Sequence, residues 1–236
     1  MRFSFGLFIA AAFVAQDILA APLGSINRRE VPTKFLEKAT APSTLEITVE
    51  GHKFALKKST SIQDGNNGIV YQDAEKDFAK TPLNAKGDLT TEAATTKAVH
   101  AVAGLLSGGQ VKAFGTATNT GVGAETQWLI TVAAQGSNLK STKAFIAAKA
   151  AGKTECEALT KKASELAVAK AKAVFEATTT GGKGINHNDL NAGNIFYDDE
   201  VTKVETLIDW GSARKVASFP TTIANGQAAH AFNGFC

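Results

Sequence analysis

Cysteine, proline and long charged runs are all scarce in this chain. It has two cysteines and five prolines in 236 residues, and its formal net charge is only +3. No long basic run is present, so the charge pattern does not indicate a nucleic-acid partner. We find no internal repeat. The length suits one domain of one or two lobes with a sizeable core, and the composition is that of a globular protein.

Long hydrophobic runs are also rare, and the one at the start of the chain is short. Residues 3–14 are mostly apolar, follow Arg2 and precede the small residues Ala20 and Ala21. A charged start, a short apolar stretch and a small-residue exit are typical of a secretory signal peptide. The run is too short to span a bilayer comfortably. We therefore expect residues 1–20 to be a signal peptide and the protein to be secreted, with no membrane span.

Residues 21–43 are interpreted as a leader, a possible pro-segment and a linker. A dibasic pair ends at Arg29 and resembles a processing site of the secretory pathway, which would give a mature start at Glu30. A solvated charge pair in a flexible leader is the alternative, and both interpretations fit the sequence.

The two cysteines, Cys156 and Cys236, form an isolated pair. In an oxidising compartment such a pair is expected to be a disulfide. The bridge would close a loop of about 80 residues, which on the chain-entropy model stabilises the fold by about 4 kcal/mol. It would also hold the last residue in place, where chain ends otherwise fray. Two free buried thiols are the alternative.

One stretch carries residues that suit phosphoryl transfer. His187, Asp189 and Asn194 have the spacing H-x-D-x-x-x-x-N, and Asp209 follows within the triplet Asp-Trp-Gly. An aspartate can accept the proton of an attacking hydroxyl. An asparagine and a second aspartate offer the oxygen ligands that Mg²⁺ prefers. The pattern predicts a metal site at Asn194 and Asp209 beside a catalytic Asp189.

The segment between these residues favours a hairpin. Residues 195–197 and 204–208 are β-prone and flank the turn-like residues 198–200. Such a hairpin would carry Asn194 at its start and Asp209 at its end, and would therefore bring both side chains to one point.

On these residues the chain resembles the protein-kinase-like superfamily. The strings HNDLNAGNI and IDWGSA are closer to its aminoglycoside and choline phosphotransferase branch than to ordinary protein kinases. The resemblance implies an α+β fold with two lobes. A small β-rich N-lobe with a five-stranded sheet and one helix would occupy residues 44–134, and a truncated helical C-lobe would occupy residues 135–236.

The resemblance also assigns nucleotide-binding positions upstream. The turn of residues 64–68 leads into a strand at Ile69 and resembles the glycine-rich loop, with Gly65, Gly68 and Val70 at matching positions. Glycines there let backbone amides approach phosphate closely. Gln63 replaces the first glycine, so the motif is incomplete, and a hairpin turn rich in Asn and Gly has the same pattern.

Lys80 is the candidate phosphate-binding lysine, with Lys76 and Lys86 as alternatives. Residues 88–106 have the apolar spacing of a helix, and Glu92 in its early turns is the candidate partner of Lys80. The helix macrodipole alone also favours a glutamate at that position. The resemblance therefore implies an ion pair of Lys80 with Glu92 next to ATP.

The C-terminal half is expected to be helical but short. Thr154 and Glu157 form a capping box that predicts a helix to about residue 177. Only 27 residues follow Asp209, and they contain no A-P-E signature. The helices that complete a kinase C-lobe are thus missing or miniature.

The predicted function is a secreted, monomeric phosphotransferase that uses ATP and Mg²⁺ to phosphorylate a hydroxyl of a protein or a small molecule. His187 would brace the loop. Asn188 stands where regulated kinases have an Arg that pairs with a phosphorylated activation loop, so control by that route is not expected.

A pseudokinase that binds nucleotide or protein is the alternative, favoured by the incomplete glycine loop and short C-lobe. An effector that acts inside another cell is a third interpretation.

Overall fold

Six antiparallel strands form the first half of the fold in the computed structural model. Every described residue belongs to one compact unit, Pro32–Cys236. The predicted signal peptide, the dibasic pair and Gly65 lie outside the described residues. The structure describes residues 35–37, 39–59, 68–83, 87–119 and 121–236.

The sheet has six strands, and one helix lies between the fourth and fifth strands in the chain. The bounds are β1 Thr44–Val49, β2 His52–Lys58, β3 Gly68–Gln72, β4 Phe78–Pro82, α1 Thr90–His100, β5 Val111–Thr116 and β6 Gln127–Thr131. Their order across the sheet is β1-β2-β3-β4-β6-β5. The prediction of five strands is wrong, because β1 adds a fully paired edge hairpin to β2, from Thr44 opposite Lys57 to Val49 opposite His52.

One face of this sheet forms a separate hydrophobic core. In strand β1, Leu45, Ile47 and Val49 are buried, and the residues between them are exposed or half-buried. Alternation with period two puts one face of a strand in the core. Trp128 lies in the same cluster, and its ring meets Tyr71 edge-on at 5.7 Å between centroids.

Helix α1 ends at His100, six residues before the predicted end at Leu106. The chain turns at Gly104, whose φ is +73°, a left-handed conformation that glycine adopts at little cost. After this turn Leu105 and Leu106 are half-buried and pack against the core of the second half. The apolar residues that predicted one helix over residues 88–106 therefore belong to a shorter helix and to the turn that follows it.

The second half combines helices with short strands. Their bounds are α2 Lys143–Ala151, α3 Lys153–Ala177, β7 Gly184–Asn186, β8 Ile195–Tyr197, β9 Val204–Leu207, β10 Arg214–Val216 and α4 Thr221–Ala231. Strand β8 pairs with β9 and β10 pairs with β7, both antiparallel. The predicted hairpin over residues 195–208 is confirmed. The whole is the predicted α+β fold, with a β-rich first half and a short helical second half.

The predicted capping box at the start of α3 is wrong. The helix begins at Lys153, its N-cap is Gly152, and no side chain caps it. Helix α2 ends directly at Gly152, so Thr154 already lies within the first turn and cannot take the extended conformation of an N-cap. The side-chain cap belongs to α2 instead, where the Thr142 hydroxyl accepts a hydrogen bond from the Phe145 amide.

Helix α3 supports the second half through a face of small residues. Ala163, Ala167 and Ala171 are buried and recur every fourth position, so they share one face. Small side chains let the neighbouring hairpin approach closely, and the Tyr197 hydroxyl donates a hydrogen bond of 2.9 Å to the Ala163 carbonyl. None of the helices among the described residues combines the length and apolar character needed to span a bilayer.

The predicted disulfide is confirmed. Cys156 and Cys236 are bonded, with their Cα atoms 5.7 Å apart. The bridge joins the first turns of α3 to the end of the chain. The final residues also carry Phe232 and Phe235, which pack against the core of this half.

Candidate active site

Three predicted site residues meet at one ammonium group. Lys80 Nζ lies 2.8 Å from Glu92 Oε2 and 2.9 Å from Asp209 Oδ1. Lys80 comes from β4, Glu92 from the first turn of α1, and Asp209 from the loop after β9. Of the alternative lysines, Lys76 is exposed in the turn before β4 and Lys86 lies outside the described residues. The lysine that faces Glu92 is therefore Lys80.

His187 connects the predicted catalytic loop, residues 187–194, to the strand that ends beside Asp209. It is buried, and its Nε2 lies 2.9 Å from the Ile208 carbonyl oxygen. Its Nδ1 accepts a hydrogen bond of 3.3 Å from the Asp189 amide. These two bonds together fit a neutral ring with its proton on Nε2. Burial lowers the pKa of His187, which keeps the ring neutral and suits a bracing position.

Asp189 and Asn194 are joined by hydrogen bonds. Asn194 Nδ2 donates to the Asp189 carbonyl oxygen at 3.0 Å and to Asp189 Oδ2 at 3.2 Å. The Ile208 amide in turn donates to the Asn194 carbonyl oxygen at 3.0 Å. Ile195 pairs with Leu207 at the end of the hairpin. The hairpin thus places Asn194 and Asp209 at its open end, where the sequence predicted them.

Two of the site residues have left-handed backbones. The φ angles of Asn188 and Asp209 are +60° and +61°. Asn and Asp tolerate this region better than other residues with a Cβ, but it still costs free energy that the surroundings must offset. The Asn188 side chain donates to the Ser212 carbonyl oxygen at 3.3 Å. Backbone conformations of this kind are concentrated at functional sites.

Gly211, which follows Asp209 and Trp210, lies close to both carboxylates of the site. A Cβ on Gly211 would lie 3.0 Å from Glu92 Oε2 and 3.4 Å from Asp209 Oδ1. The first of these contacts is tighter than most Cβ contacts, so a larger residue at position 211 would press on the end of the Glu92 side chain.

The charges of the cluster shift one another's titration. Burial opposes the charge of Lys80, but Glu92 and Asp209 outweigh it and the pKa of Lys80 is raised. Burial raises the pKa of Glu92 even though Lys80 opposes that shift. Burial also works against ionised Asp209, but the charge and hydrogen bond of Lys80 hold its pKa below the usual range. Asp209 is thus the better anion of the two acids.

The described part of the predicted glycine loop lies beside Lys80. Val70 is opposite Lys80 in the pairing of β3 with β4. A Cβ on Gly68 would lie 2.9 Å from the Thr81 carbonyl oxygen and 3.2 Å from Lys80 Cγ, so the position has room only for glycine. Gly68, Val70 and Lys80 are therefore neighbours in the sheet.

Two supporting residues were not found from the sequence. Asn138 Nδ2 donates to the carbonyl oxygens of residues 192 and 195, at 3.0 and 3.1 Å, and so holds the end of the catalytic loop. Gln227 on α4 bonds to the same loop at residues 188 and 190. An isolated Asn or Gln gives no signal in a single sequence, because its partners are backbone groups far along the chain.

A second acidic cluster near β4 is structural. Asp73, Glu75 and Asp77 bring carboxylate oxygens within 4.8 Å of one another. Lys112 Nζ lies 2.7 Å from Glu75 and 2.5 Å from Asp77, and the Ala133 amide donates to Asp77 at 2.8 Å. Asp73 Oδ1 accepts hydrogen bonds of 2.9 Å from the amides of Glu75 and Asp77. All three acids therefore have partners within the protein and fasten the turn between β3 and β4.

The six-stranded sheet, the helix that carries Glu92 and the loop that carries Asp189 give the α+β arrangement that the resemblance to the protein-kinase-like superfamily predicted. No family model matches the chain, and no curated protein matches it. One similar solved structure is the kinase domain of a Toxoplasma gondii specific rhoptry antigen, at 11% identity and TM-score 0.45, over 73% of this chain and 54% of that one.

Two other solved structures are similar to a comparable extent. One is a protein of Ralstonia eutropha assigned as an aminoglycoside phosphotransferase, at 11% identity and TM-score 0.43, over 71% of this chain and 62% of that one. The other is the ROP18 kinase domain in complex with AMP-PNP and sucrose, at 16% identity and TM-score 0.39, over 72% and 56%. The chain spans 54–62% of these three chains, and similarities of this strength carry no argument about its site.

Proposed function

We propose that this chain is a secreted phosphotransferase that moves the γ-phosphoryl group of ATP to a hydroxyl of a protein or small molecule. The observation that carries the proposal is the ammonium of Lys80 between Glu92 and Asp209, beside the loop of Asp189 and Asn194. A lysine fixed by a buried glutamate is a preorganised cation, and phosphoryl transfer depends mainly on positioning and charge stabilisation.

Asn194 and Asp209 would hold Mg²⁺. Asn194 donates through Nδ2 to Asp189, so its side-chain Oδ1 would be the atom offered to a cation, and the Asp209 side chain is 42% exposed. Carboxylate and amide oxygens are the ligands Mg²⁺ takes, together with water and phosphate oxygens. The bound ion would supply charge neutralisation at the phosphates. Lys80 would exchange Asp209 for a phosphate oxygen and so release the carboxylate for the metal.

Asp189 would take the proton of the acceptor hydroxyl. Its two carboxylate oxygens receive hydrogen bonds from Asn191 Nδ2 at 3.1 Å and Asn194 Nδ2 at 3.2 Å. These donors fix the direction of the carboxylate and leave lone pairs for a hydroxyl, since an ionised carboxylate has about four acceptor positions. The short segment after Asp209 favours neither a protein nor a small-molecule acceptor.

Export of the protein is part of the proposal. The disulfide between Cys156 and Cys236 is compatible with an extracellular protein, because such bridges persist in oxidising compartments. The proposed signal peptide over residues 1–20 and processing after Arg29 belong to the same account.

A pseudokinase that binds nucleotide or protein is the second candidate. The ion pair of Lys80 with Asp209 also suits a scaffold that only binds ligands, because the lysine already compensates the charge of the acid. In this case the scaffold would bind ligands without transferring phosphate.

Replacement of Asp189 by Asn separates these two functions. We expect Asp189→Asn to bind ATP with unchanged affinity and to lose about 10²- to 10⁴-fold in turnover, the usual contribution of a general base. Turnover is measured as release or transfer of radioactive γ-phosphate, with water and a panel of sugars, amino alcohols and peptides as acceptors. Asp199→Asn, at an exposed ion pair with Lys143, is the control.

Each result points to one function. Wild-type turnover in Asp189→Asn contradicts the assigned base. A wild-type protein that binds ATP but transfers phosphate to none of the acceptors, water included, supports the pseudokinase instead.

A further inference from the structure

The C-terminal helix α4 is a weak helix held in place by tertiary contacts. Its sequence includes Gly226 and two threonines, and its N-cap residue Pro220 makes no side-chain capping bond. Glycine in a helix costs about 1 kcal/mol relative to alanine, and isolated helices of this length are marginal in water. The position of α4 must therefore come from what it packs against.

Two sets of contacts hold α4: those of one face of the helix, and those of the segment that follows it. Ala224 and Ala228 are buried on that face, and Phe232 is buried just beyond the helix. Four residues later the chain is bonded to α3 through Cys236. The disulfide thus closes the segment that carries the helix, and it restricts the positions that α4 can take.

Gln227 lies on α4 next to this buried face and reaches the catalytic loop. Its Nε2 donates to the Asn188 carbonyl oxygen at 2.9 Å, and its Oε1 accepts from the Leu190 amide at 3.5 Å. The two groups stand on either side of Asp189. A primary amide that donates to one side of a residue and accepts from the other fixes the direction of the backbone between them.

The backbone that Gln227 holds is one that needs support. Asn188 has a left-handed backbone with φ +60°. This conformation is less favourable for a residue with a Cβ than the common regions, so an external bond to its carbonyl group helps to maintain it. A change in the peptide at Asn188 would redirect the Asp189 side chain.

We propose that Gln227 is a positioning residue for Asp189 and that the Cys156–Cys236 disulfide acts on the site by holding α4, and with it Gln227, against the catalytic loop. The inference rests on the proposed function for its catalytic consequence only. A misplacement of about 1 Å can cost on the order of 100-fold in rate, so a small movement of this loop matters.

The variants Gln227→Met and Asn225→Ala test the proposal in the full chain with its disulfide. Methionine keeps the size of Gln227 and loses both hydrogen bonds, whereas Asn225 is an exposed residue of the same helix. Hydrogen exchange of the peptide that contains residues 187–194 is measured first. We expect roughly fivefold faster exchange in Gln227→Met, a factor typical of one lost hydrogen bond, and no change in Asn225→Ala. Equal exchange in Gln227→Met and wild type overturns the proposal.

Kinetics provide the second readout, with ATP and water as the acceptor. We expect kcat of Gln227→Met to fall about tenfold, while the KM for ATP changes less than about twofold and thermal stability stays close to that of Asn225→Ala. A larger change in KM than in kcat contradicts a positioning role. If wild-type protein binds no ATP, the proposed function fails, and the exchange measurement still decides the role of Gln227.

The disulfide arm uses Cys156→Ala/Cys236→Ala with and without Gln227→Met. If the disulfide acts through Gln227, removal of the disulfide accelerates hydrogen exchange of the 187–194 peptide when Gln227 is present. The acceleration is then much smaller in proteins that carry Gln227→Met. Equal acceleration in both backgrounds shows that the bridge acts independently and overturns that part of the proposal.

Discussion

Replacement of Lys80 by methionine tests whether the charge cluster is organised around this residue. Methionine retains much of the aliphatic length and removes the ammonium. Glu92, whose side chain is 9% exposed, would then face Asp209 with no cation between them. A buried acid that loses its cation is strongly destabilised, so we expect this substitution to weaken the fold as well as the site.

The size of the loss follows from the burial of the two acids. Removal of one partner from a buried ion pair typically costs about 3–5 kcal/mol. The Asp209 side chain is 42% exposed, and water screens its part of the interaction. We therefore expect Lys80→Met to lower the free energy of unfolding by about 2–3 kcal/mol.

The loss in free energy of unfolding caused by Lys80→Met should also depend on pH. Without Lys80 the pKa of Glu92 rises further above its value in the unfolded chain. A carboxyl with a raised pKa in the folded state binds its proton more tightly there, so it destabilises the fold at high pH and less as the pH falls through that pKa. The difference between Lys80→Met and wild type should accordingly be larger at pH 8 than at pH 5.

Urea unfolding followed by tryptophan fluorescence measures these values. Trp128 lies in the core of the sheet and Trp210 in the core of the second half, so each half has a buried reporter. Lys143→Met, at an ion pair whose side chains are 76% and 45% exposed, should cost less than about 1 kcal/mol. Adding Glu92→Gln to Lys80→Met should restore stability, because it removes the unpaired buried charge.

Two results would contradict this role of Lys80. One is a loss of stability in Lys80→Met no larger than in Lys143→Met, and the other is a further loss, instead of a rescue, when Glu92→Gln is added to Lys80→Met. Both would show that the charge on Glu92 is not what Lys80 compensates.

Two further predictions concern stability. Cys156→Ala/Cys236→Ala should lower the free energy of unfolding by about 4 kcal/mol, because the bridge closes a loop of 80 residues. A loss below about 1 kcal/mol in urea unfolding contradicts this estimate. His187 is buried with a lowered pKa, so the unfolded chain binds its proton first and stability should fall as the pH drops below about 6.5, by up to about 1.4 kcal/mol per pH unit. His100 shifts in the same direction, so the slope is measured in His100→Gln, where it should persist, and in His187→Gln, where it should decrease.

Local sequence patterns predicted much of the fold. The alternation in β1, the hairpin over residues 195–208 and the length of α3 follow from periodicity and turn residues, which act over short distances. The spacing of His187, Asp189 and Asn194 located the loop because its residues bond mainly within it and to the adjoining strand.

The errors and omissions arise where tertiary contacts decide. The apolar spacing continues past His100, but the chain turns at Gly104, and Leu105 and Leu106 pack against the core of the other half instead of extending the helix. Thr154 fits a capping box only if α3 starts later than the close junction at Gly152 allows. Gln227 is joined to its partners across 37 and 39 residues, and no local pattern reports such a bond.

The Mg²⁺ dependence of ATP binding tests the central claim most directly. Thermal shift is titrated with ATP, with and without Mg²⁺, on the full disulfide-bonded chain and on Asp209→Asn, with Asp199→Asn as the surface control. We predict that Mg²⁺ strengthens ATP binding to the wild type and to Asp199→Asn, and that Asp209→Asn loses this enhancement while retaining metal-independent binding. Equal ATP binding with and without Mg²⁺, unchanged by Asp209→Asn, would contradict the assigned metal site and favour the pseudokinase.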